Sequence, residues 1–282
     1  MPEVTFIMYD DTTTTTTTSA SAAASAATGA TSTERDTDHT SPSFDPSAMV
    51  RLEEVHFHYD PEPGASHAFG LAIDQLQIQR GQRIACIGPS GCGKTTLINL
   101  MTGILRPQRG QVVLNNHPMH DLSDTARRAV RISNVGMIFQ SFELLDYLTA
   151  EQNILLPYSI NPALRRDRAA RDRARELATA MKIEHVLRRR PDRLSQGERQ
   201  RVAICRAMII DPPMVIGDEP TGNLDPATAD RMLDLLFDQA AARGATLLMV
   251  THNHAILDRF DEVIDMSPYA RFEPVADRSI SN

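Results

Sequence analysis

The octet Gly88-Pro89-Ser90-Gly91-Cys92-Gly93-Lys94-Thr95 stands between a short apolar run, Arg83 to Ile87, and a helix-like run, Thr95 to Gly103. A strand, a glycine-rich turn and a helix in that order commit a chain to a parallel α/β sheet. The glycines let backbone N–H groups converge on a phosphate at the helix N-terminus, where the dipole also favours an anion. Lys94 is placed to reach the β- and γ-phosphates, and the Thr95 hydroxyl to ligate Mg²⁺. Lys94 and Lys182 are the only lysines among 29 basic residues, so a lysine at this position is no accident of composition.

A second box lies downstream. Leu194-Ser195-Gln196-Gly197-Glu198 precedes a helix-like run, Arg199 to Ile210, and Ser195 comes 101 residues after Lys94. Small side chains and free N–H groups at a helix start can grip an anion, while Ser195 followed three residues later by Glu198 is also a capping box. The same geometry serves both.

A third element is the apolar run Met214-Val215-Ile216-Gly217, which ends in Asp218 and Glu219. Asp218 is placed to hold Mg²⁺ through water, and Glu219 is the candidate base for an attacking water. His252 follows the run Thr246 to Val250 with one residue between. A histidine just past a parallel strand sits at the ligand edge of a doubly wound sheet and can contact a γ-phosphate. His254 and His185 read as ordinary surface or core groups. Gln140 ends the run Val135 to Phe139, where it can reach Mg²⁺ or the attacking water. Tyr59 lies 29 residues before Gly88, and its ring can stack on adenine, although Phe57 and Tyr59 also fit as plain strand aromatics.

Organisation follows from these landmarks. Residues 1–48 carry seven consecutive threonines, Thr12 to Thr18, and a Ser/Ala/Thr tract. Such a segment has too little apolar surface to offset its ordering entropy, so we expect it to be disordered, with the folded domain at 49–282. It reads neither as a secretory signal nor as a transit peptide. A start at Met49 is one reading of this boundary. Val50 to Phe57 and Phe69 to Ile78 alternate like strands of an antiparallel edge, and Glu262 to Met266 and Ala270 to Val275 read as short final strands. A helical subdomain is expected at about 141–206, and a helix at Pro226 to Ala242.

The net charge is −7, and residues 1–48 account for −6 of it, which leaves the body near neutral and argues against nucleic acid as the main partner. Arg165 to Arg175 holds six arginines with Asp167 and Asp172. It reads as a solvated helix face with i,i+4 charge pairs, and a nucleic-acid patch is the competing reading. Cys86, Cys92 and Cys205 fit neither a disulfide framework nor a zinc site. No apolar run is long enough to span a bilayer.

The ordered set GPSGCGKT, Gln140, LSQGERQR, MVIGDEP, Gly222-Asn223-Leu224-Asp225 and Thr251-His252 resembles the nucleotide-binding subunit of ABC transporters from residue 50 to about 265. The resemblance implies a P-loop NTPase core of the ABC ATPase type, α/β, with an antiparallel β-subdomain and an α-helical subdomain. It implies ATP held by Tyr59, Gly88, Pro89, Ser90, Gly91, Cys92, Gly93, Lys94, Thr95 and Thr96. Mg²⁺ falls to Thr95, Gln140 and Asp218, and catalysis to Lys94, Gln140, Glu219 and His252. Ser195, Gly197, Glu198 and Asp225 act in trans, on the ATP of a second copy. The implied partners are therefore a second nucleotide-binding subunit, as a homodimer, and an integral membrane permease that docks beside Gln140 at the cytoplasmic face of the inner membrane. No nucleic acid is implied.

Gly136 to Leu145, Leu148 to Asn153 and Asp218 to Asp225 look like the lipoprotein-release, macrolide-export and cell-division branch. A soluble ABC ATPase of cofactor assembly and an importer subunit remain the alternatives. Gln196 stands where this box usually has glycine, and leaves Ser195 and Gly197 intact. Cys92 occupies a variable loop position and is expected to make the site sensitive to oxidation.

Overall fold

Side-chain alternation decides the layers. In β3 (Arg83–Ile87), Ile84 and Cys86 join one apolar cluster while Ala85 joins another. In β7 (Met214–Asp218), Val215 parts company in the same way from Met214 and Ile216. In β8 (Thr246–Val250), Leu247 and Met249 face away from Leu248 and Val250. Strands apolar on both faces must be covered on both faces, the condition of a central parallel sheet. The computed structural model describes residues 45–60, 67–161, 164–222 and 224–274.

β6 (Val135–Ile138), β7, β8, β3 and β9 (Glu262–Asp265) form that sheet in this order, and every pairing is parallel. A second sheet has the order β10-β2-β1-β4-β5 and is antiparallel throughout, built from β1 (Val50–His58), β2 (His67–Ile78), β4 (Arg109–Leu114), β5 (His117–Pro118) and β10 (Ala270–Pro274). One cluster lies between the two sheets around α1 (Lys94–Met101), where Leu97, Leu100 and Met101 are fully buried. The other packs the opposite face of the parallel sheet against α5 (Arg168–Ala180), α6 (Gln196–Met208) and α7 (Pro226–Ala242). The remaining helices are α2 (Asp124–Asn134), α3 (Ala150–Ile154) and α4 (Leu156–Ile160).

Several expectations need adjustment. β1 is the middle strand of its sheet rather than part of an edge, because β4 pairs on its far side. β4, β5 and α2 occupy a stretch for which no element was expected. The signal was present: Asn115 and Asn116 both take positive φ, 46 and 64, as a tight hairpin turn demands. α6 begins at Gln196, three residues before the expected run, because the capping box of Ser195 and Glu198 starts it there. Asp45–Ala48 belongs to the folded body, four residues ahead of the expected boundary. Asp45 accepts from the Ser47 amide at 2.8 Å, Arg80 holds the Ser47 carbonyl at 2.8 Å, and Ala48 is 1% exposed. The threonine run, Asn223 and Val275 lie outside the described residues.

Candidate functional site

Four strands of the parallel sheet end at one edge, and each delivers one piece of the site. β3 runs into the glycine loop, β6 into Gln140, β7 into Asp218 and Glu219, and β8 into Thr251 and His252. The carboxyl ends of adjacent parallel strands are where such sheets bind ligands.

The loop is folded by its glycines. Gly93 caps α1 in a left-handed conformation, φ 97, and a Cβ there would lie 2.7 Å from Leu71 Cδ2. Lys94 is 8% exposed, and its Nζ donates to the carbonyls of Gly88 at 2.8 Å and Pro89 at 3.0 Å. The ammonium is thus held inside the loop beside the α1 N-terminus, where both attract phosphate oxygens. Cys92 is 4% exposed with Sγ 4.0 Å from Lys94 Nζ, so a dissolved oxidant meets little of the thiol. The Cys86 thiol is pushed up to about 12 by burial and by Cys92, and burial does the same to Cys205. All three are buried, away from the solvent access a reactive cysteine needs.

Tyr59 stands over the start of α1. Its hydroxyl lies 3.2 Å from Thr96 Oγ1, and its ring meets Phe57 edge-on at 4.8 Å. Tyr59 is 42% exposed, an amphipathic side chain suited to stacking on a planar ligand. Thr95 is exposed beside it.

Asp218 and Glu219 divide their surroundings. Burial, and then the neighbouring Glu219, push the Asp218 carboxyl above its ordinary value, while Lys94 and His252 pull it down. Glu219 takes a left-handed φ of 46 and donates its amide to Val250 O at 3.0 Å. That twist turns its side chain toward β8, and Glu219 Oε1 meets His252 Nε2 at 2.6 Å. Gly222 lies between two of the predicted groups: a Cβ there would sit 3.5 Å from Glu219 Oε2 and 3.6 Å from Gln140 Nε2. Glu219, Gly222 and His252 line a cleft of about 620 Å³ that runs on to Leu224 and Asp230.

No three His, Cys, Asp or Glu among the described residues converge on a metal position. The oxygen donors at hand are the Asp218 carboxyl, the exposed Thr95 hydroxyl and the Gln140 amide. A hard cation that keeps most of its shell from water and phosphate oxygens suits such a set, which fits Mg²⁺.

The remaining predicted residues stand apart from the loop. Ser195 caps α6, with its Oγ accepting from the Glu198 amide at 3.3 Å, while Glu198 Oε2 accepts from Ser195 N at 2.8 Å and Oγ at 2.9 Å. A cap of this kind is worth about 1 kcal/mol. His185 was read as an ordinary surface or core group; it is exposed, with its Nε2 3.3 Å from Glu198 Oε1. Asp225 caps α7 and accepts from the Thr228 amide at 3.0 Å. Thr228 Cγ2 is 4.0 Å from where a Gly197 Cβ would be, so the starts of α6 and α7 are adjacent.

Sequence reasoning missed Gln200 and Arg206, which tie α6 to the site loops. Gln200 Nε2 donates to the Pro220 carbonyl, and Arg206 to the carbonyls of Phe142, at 2.6 Å, and Glu143. Their place in the buried part of α6, among Val202, Ala203 and Ile204, gives no sign of these partners. The arginine-rich run behaves as a charged helix face: Arg168 and Arg175 each reach Asp172 at 3.6 Å, and Arg173 reaches Asp211 at 2.6 Å.

The family described as ABC transporter matches residues 71–222 of the chain. The lipoprotein-releasing system ATP-binding protein LolD of Roseobacter denitrificans is 41% identical over 189 residues, 67% of this chain and 82% of that protein. LolD of Maricaulis maris is 39% identical over 218 residues, covering 77% and 93%. A solved dimeric ATP-binding cassette in a post-hydrolysis state, bound to ADP and Pi, is 30% identical with a TM-score of 0.70 and covers 80% of this chain and 98% of that one.

Proposed function

This chain belongs to the ABC transporter family as an ATP-binding, ATP-hydrolysing subunit, and from that premise we propose that two copies clamp two ATP molecules to drive a lipoprotein-releasing membrane permease. The observation that carries the reading is the split of the site. The glycine loop, Asp218, Glu219 and His252 share one sheet edge, whereas Ser195 and Gly197 sit at the start of α6 on the helical subdomain. Ser195 and Gly197 of one copy then face the γ-phosphate that Lys94 of the other holds.

The chemistry follows from the geometry. The loop amides and Lys94 bind the β- and γ-phosphates, and the Tyr59 ring stacks on adenine. Thr95, Asp218 and Gln140 would hold Mg²⁺, which would supply positive charge against the phosphates. Glu219 takes the proton of the attacking water. His252 holds Glu219 at 2.6 Å and contacts the γ-phosphate. Loss of that phosphate removes what Ser195 and the α6 N-terminus grip, and the clamp opens.

The permease is proposed to dock in the apolar groove beside Gln140. The groove holds about 270 Å³ and is lined by Met137, Phe139, Leu156, Pro157, Ile160 and Ile210. Ile160 is 55% and Phe139 37% exposed, large apolar surfaces that water does not favour. No helix among the described residues is long and apolar enough to cross a membrane. Attachment at the cytoplasmic face is proposed to run through this contact.

Affinity purification of the tagged protein from detergent-solubilised membranes tests the reading. A co-purifying multi-span permease, with ATP-dependent release of lipoprotein from reconstituted vesicles, supports it. Recovery with a soluble assembly factor, or with a permease that takes up solute, would move the chain to the cofactor-assembly or importer reading.

A further inference from the structure

Helix α6 holds three separate parts of the machinery. Its N-cap is Ser195, the residue offered to the partner's ATP. Gln200, 0% exposed, donates from Nε2 to the carbonyl of Pro220, the residue after Glu219. Arg206, 8% exposed, donates to the carbonyls of Phe142 and Glu143 in the turn that follows Gln140. Glu219, Phe142 and Glu143 all have positive φ, 46, 64 and 48. Non-glycine residues keep that conformation only where their surroundings hold it. Both gripped turns are therefore shaped by a helix that belongs to the other half-site.

Gln200 is a costly way to fill space. Its Oε1 is buried with no hydrogen-bond partner among the described residues. An unsatisfied buried acceptor is a cost that leucine or methionine would not incur. What Gln200 supplies and they cannot is its Nε2 donor. Proline has no N–H, so at Pro220 the backbone can be held only through the carbonyl. The ring is fixed from the other side, because a Cβ on Gly217 would lie 3.0 Å from Pro220 Cγ.

We propose that Gln200 is a positioning residue that couples the two ATP sites of the dimer: the partner's nucleotide, gripped at Ser195, sets this chain's own Glu219 through the Gln200–Pro220 bond. Arg206 does the same for the Gln140 turn. Each base is then in register only when the neighbouring site is closed. This rests on the trans reading of Ser195.

The test uses the full chain carrying Gln200→Leu, with Gln200→Met as a second replacement that fills the same volume. Steady-state ATPase, thermal melting and ATP-dependent dimerisation in a Glu219→Gln background are measured for each. The expected result is a kcat about ten- to hundredfold lower, with KM for ATP within about twofold, the melting temperature kept and the trapped dimer intact. A folded variant with kcat within twofold of the parent overturns the proposal, and so does loss of the trapped dimer, which would make Gln200 part of closure. Ser195→Arg is assayed alongside. If it hydrolyses ATP at the parental rate, the trans reading itself has failed. If it is silent while Gln200→Leu is fully active, only the coupling has failed.

Discussion

Glu219 Oε1 and His252 Nε2 lie 2.6 Å apart, so the candidate base and the histidine form one hydrogen-bonded unit. A carboxylate oxygen accepts, so in this contact the imidazole donates from Nε2. Residues that act as a unit lose activity together. Glu219→Gln and His252→Ala are each expected to lower kcat by roughly 10²-fold or more, and the double variant to fall little further than the worse single one. Glu219→Gln should also accumulate an ATP-stabilised dimer, visible by size-exclusion chromatography. A double variant whose loss equals the product of the two singles would mean that the pair does not work as one.

Ser195→Arg places a long cation where a small cap stands. The cap with Glu198 is lost, at about 1 kcal/mol, which a fold of this size tolerates. ATP binding at Lys94 involves other elements and is expected to change less than about twofold, whereas turnover should fall below detection. Fluorescent-nucleotide titration against phosphate release separates the two. Equal loss of binding and turnover would place Ser195 in its own chain's site.

Much of this was legible because phosphate chemistry imposes fixed residues at fixed spacings. The glycine loop and the two carboxylates after β7 lie at strand ends, and the Ser195 box at a helix start, as those patterns led us to expect. Gln200 and Arg206 were not legible. Their partners are the carbonyls of Pro220, Phe142 and Glu143, and a backbone acceptor leaves no trace in residue type. The Glu219–His252 contact was half legible: both residues were picked out, but their meeting depends on the left-handed backbone at Glu219. β4 and β5 were missed because the hairpin is short, although the Asn115-Asn116 turn announced it.

Gly136 is set by packing, and it makes a stability prediction. A Cβ there would lie 2.2 Å from the Ala207 carbonyl oxygen, backbone that cannot swing aside. β6 and α6 therefore touch with no room for a methyl group. Gly136→Ala is expected to destabilise the fold by about 2–4 kcal/mol, read by denaturant titration. Because α6 also carries Ser195, the ATPase of the surviving folded fraction should fall too. An unchanged midpoint would show that the two elements separate freely.

Tyr59 separates stacking from hydrogen bonding. Its hydroxyl contacts Thr96 at 3.2 Å while the residue stays partly exposed. Tyr59→Phe keeps the ring and is expected to leave KM for ATP within about twofold. Tyr59→Ala should raise KM by roughly tenfold, the order of one aromatic–base stack. An equal rise in KM in Tyr59→Phe and Tyr59→Ala would assign the residue to the hydroxyl alone.

Asp218 trades stability for function. Burial and the adjacent Glu219 raise its pKa above the ordinary 3.8, so the fold prefers it protonated. That preference favours the folded state fully below the ordinary value and is lost as pH rises through the raised one. At pH 7 the ionised carboxylate is a burden that asparagine does not carry. Asp218→Asn is therefore expected to raise the melting temperature of the nucleotide-free protein, by roughly 1–3 °C, while removing ATPase activity. The gain should be full at neutral pH and should close as pH falls toward 3.8. Melting curves of parent and variant across that range decide it, because a gain that grew with acidity would mean the carboxylate stabilises the fold.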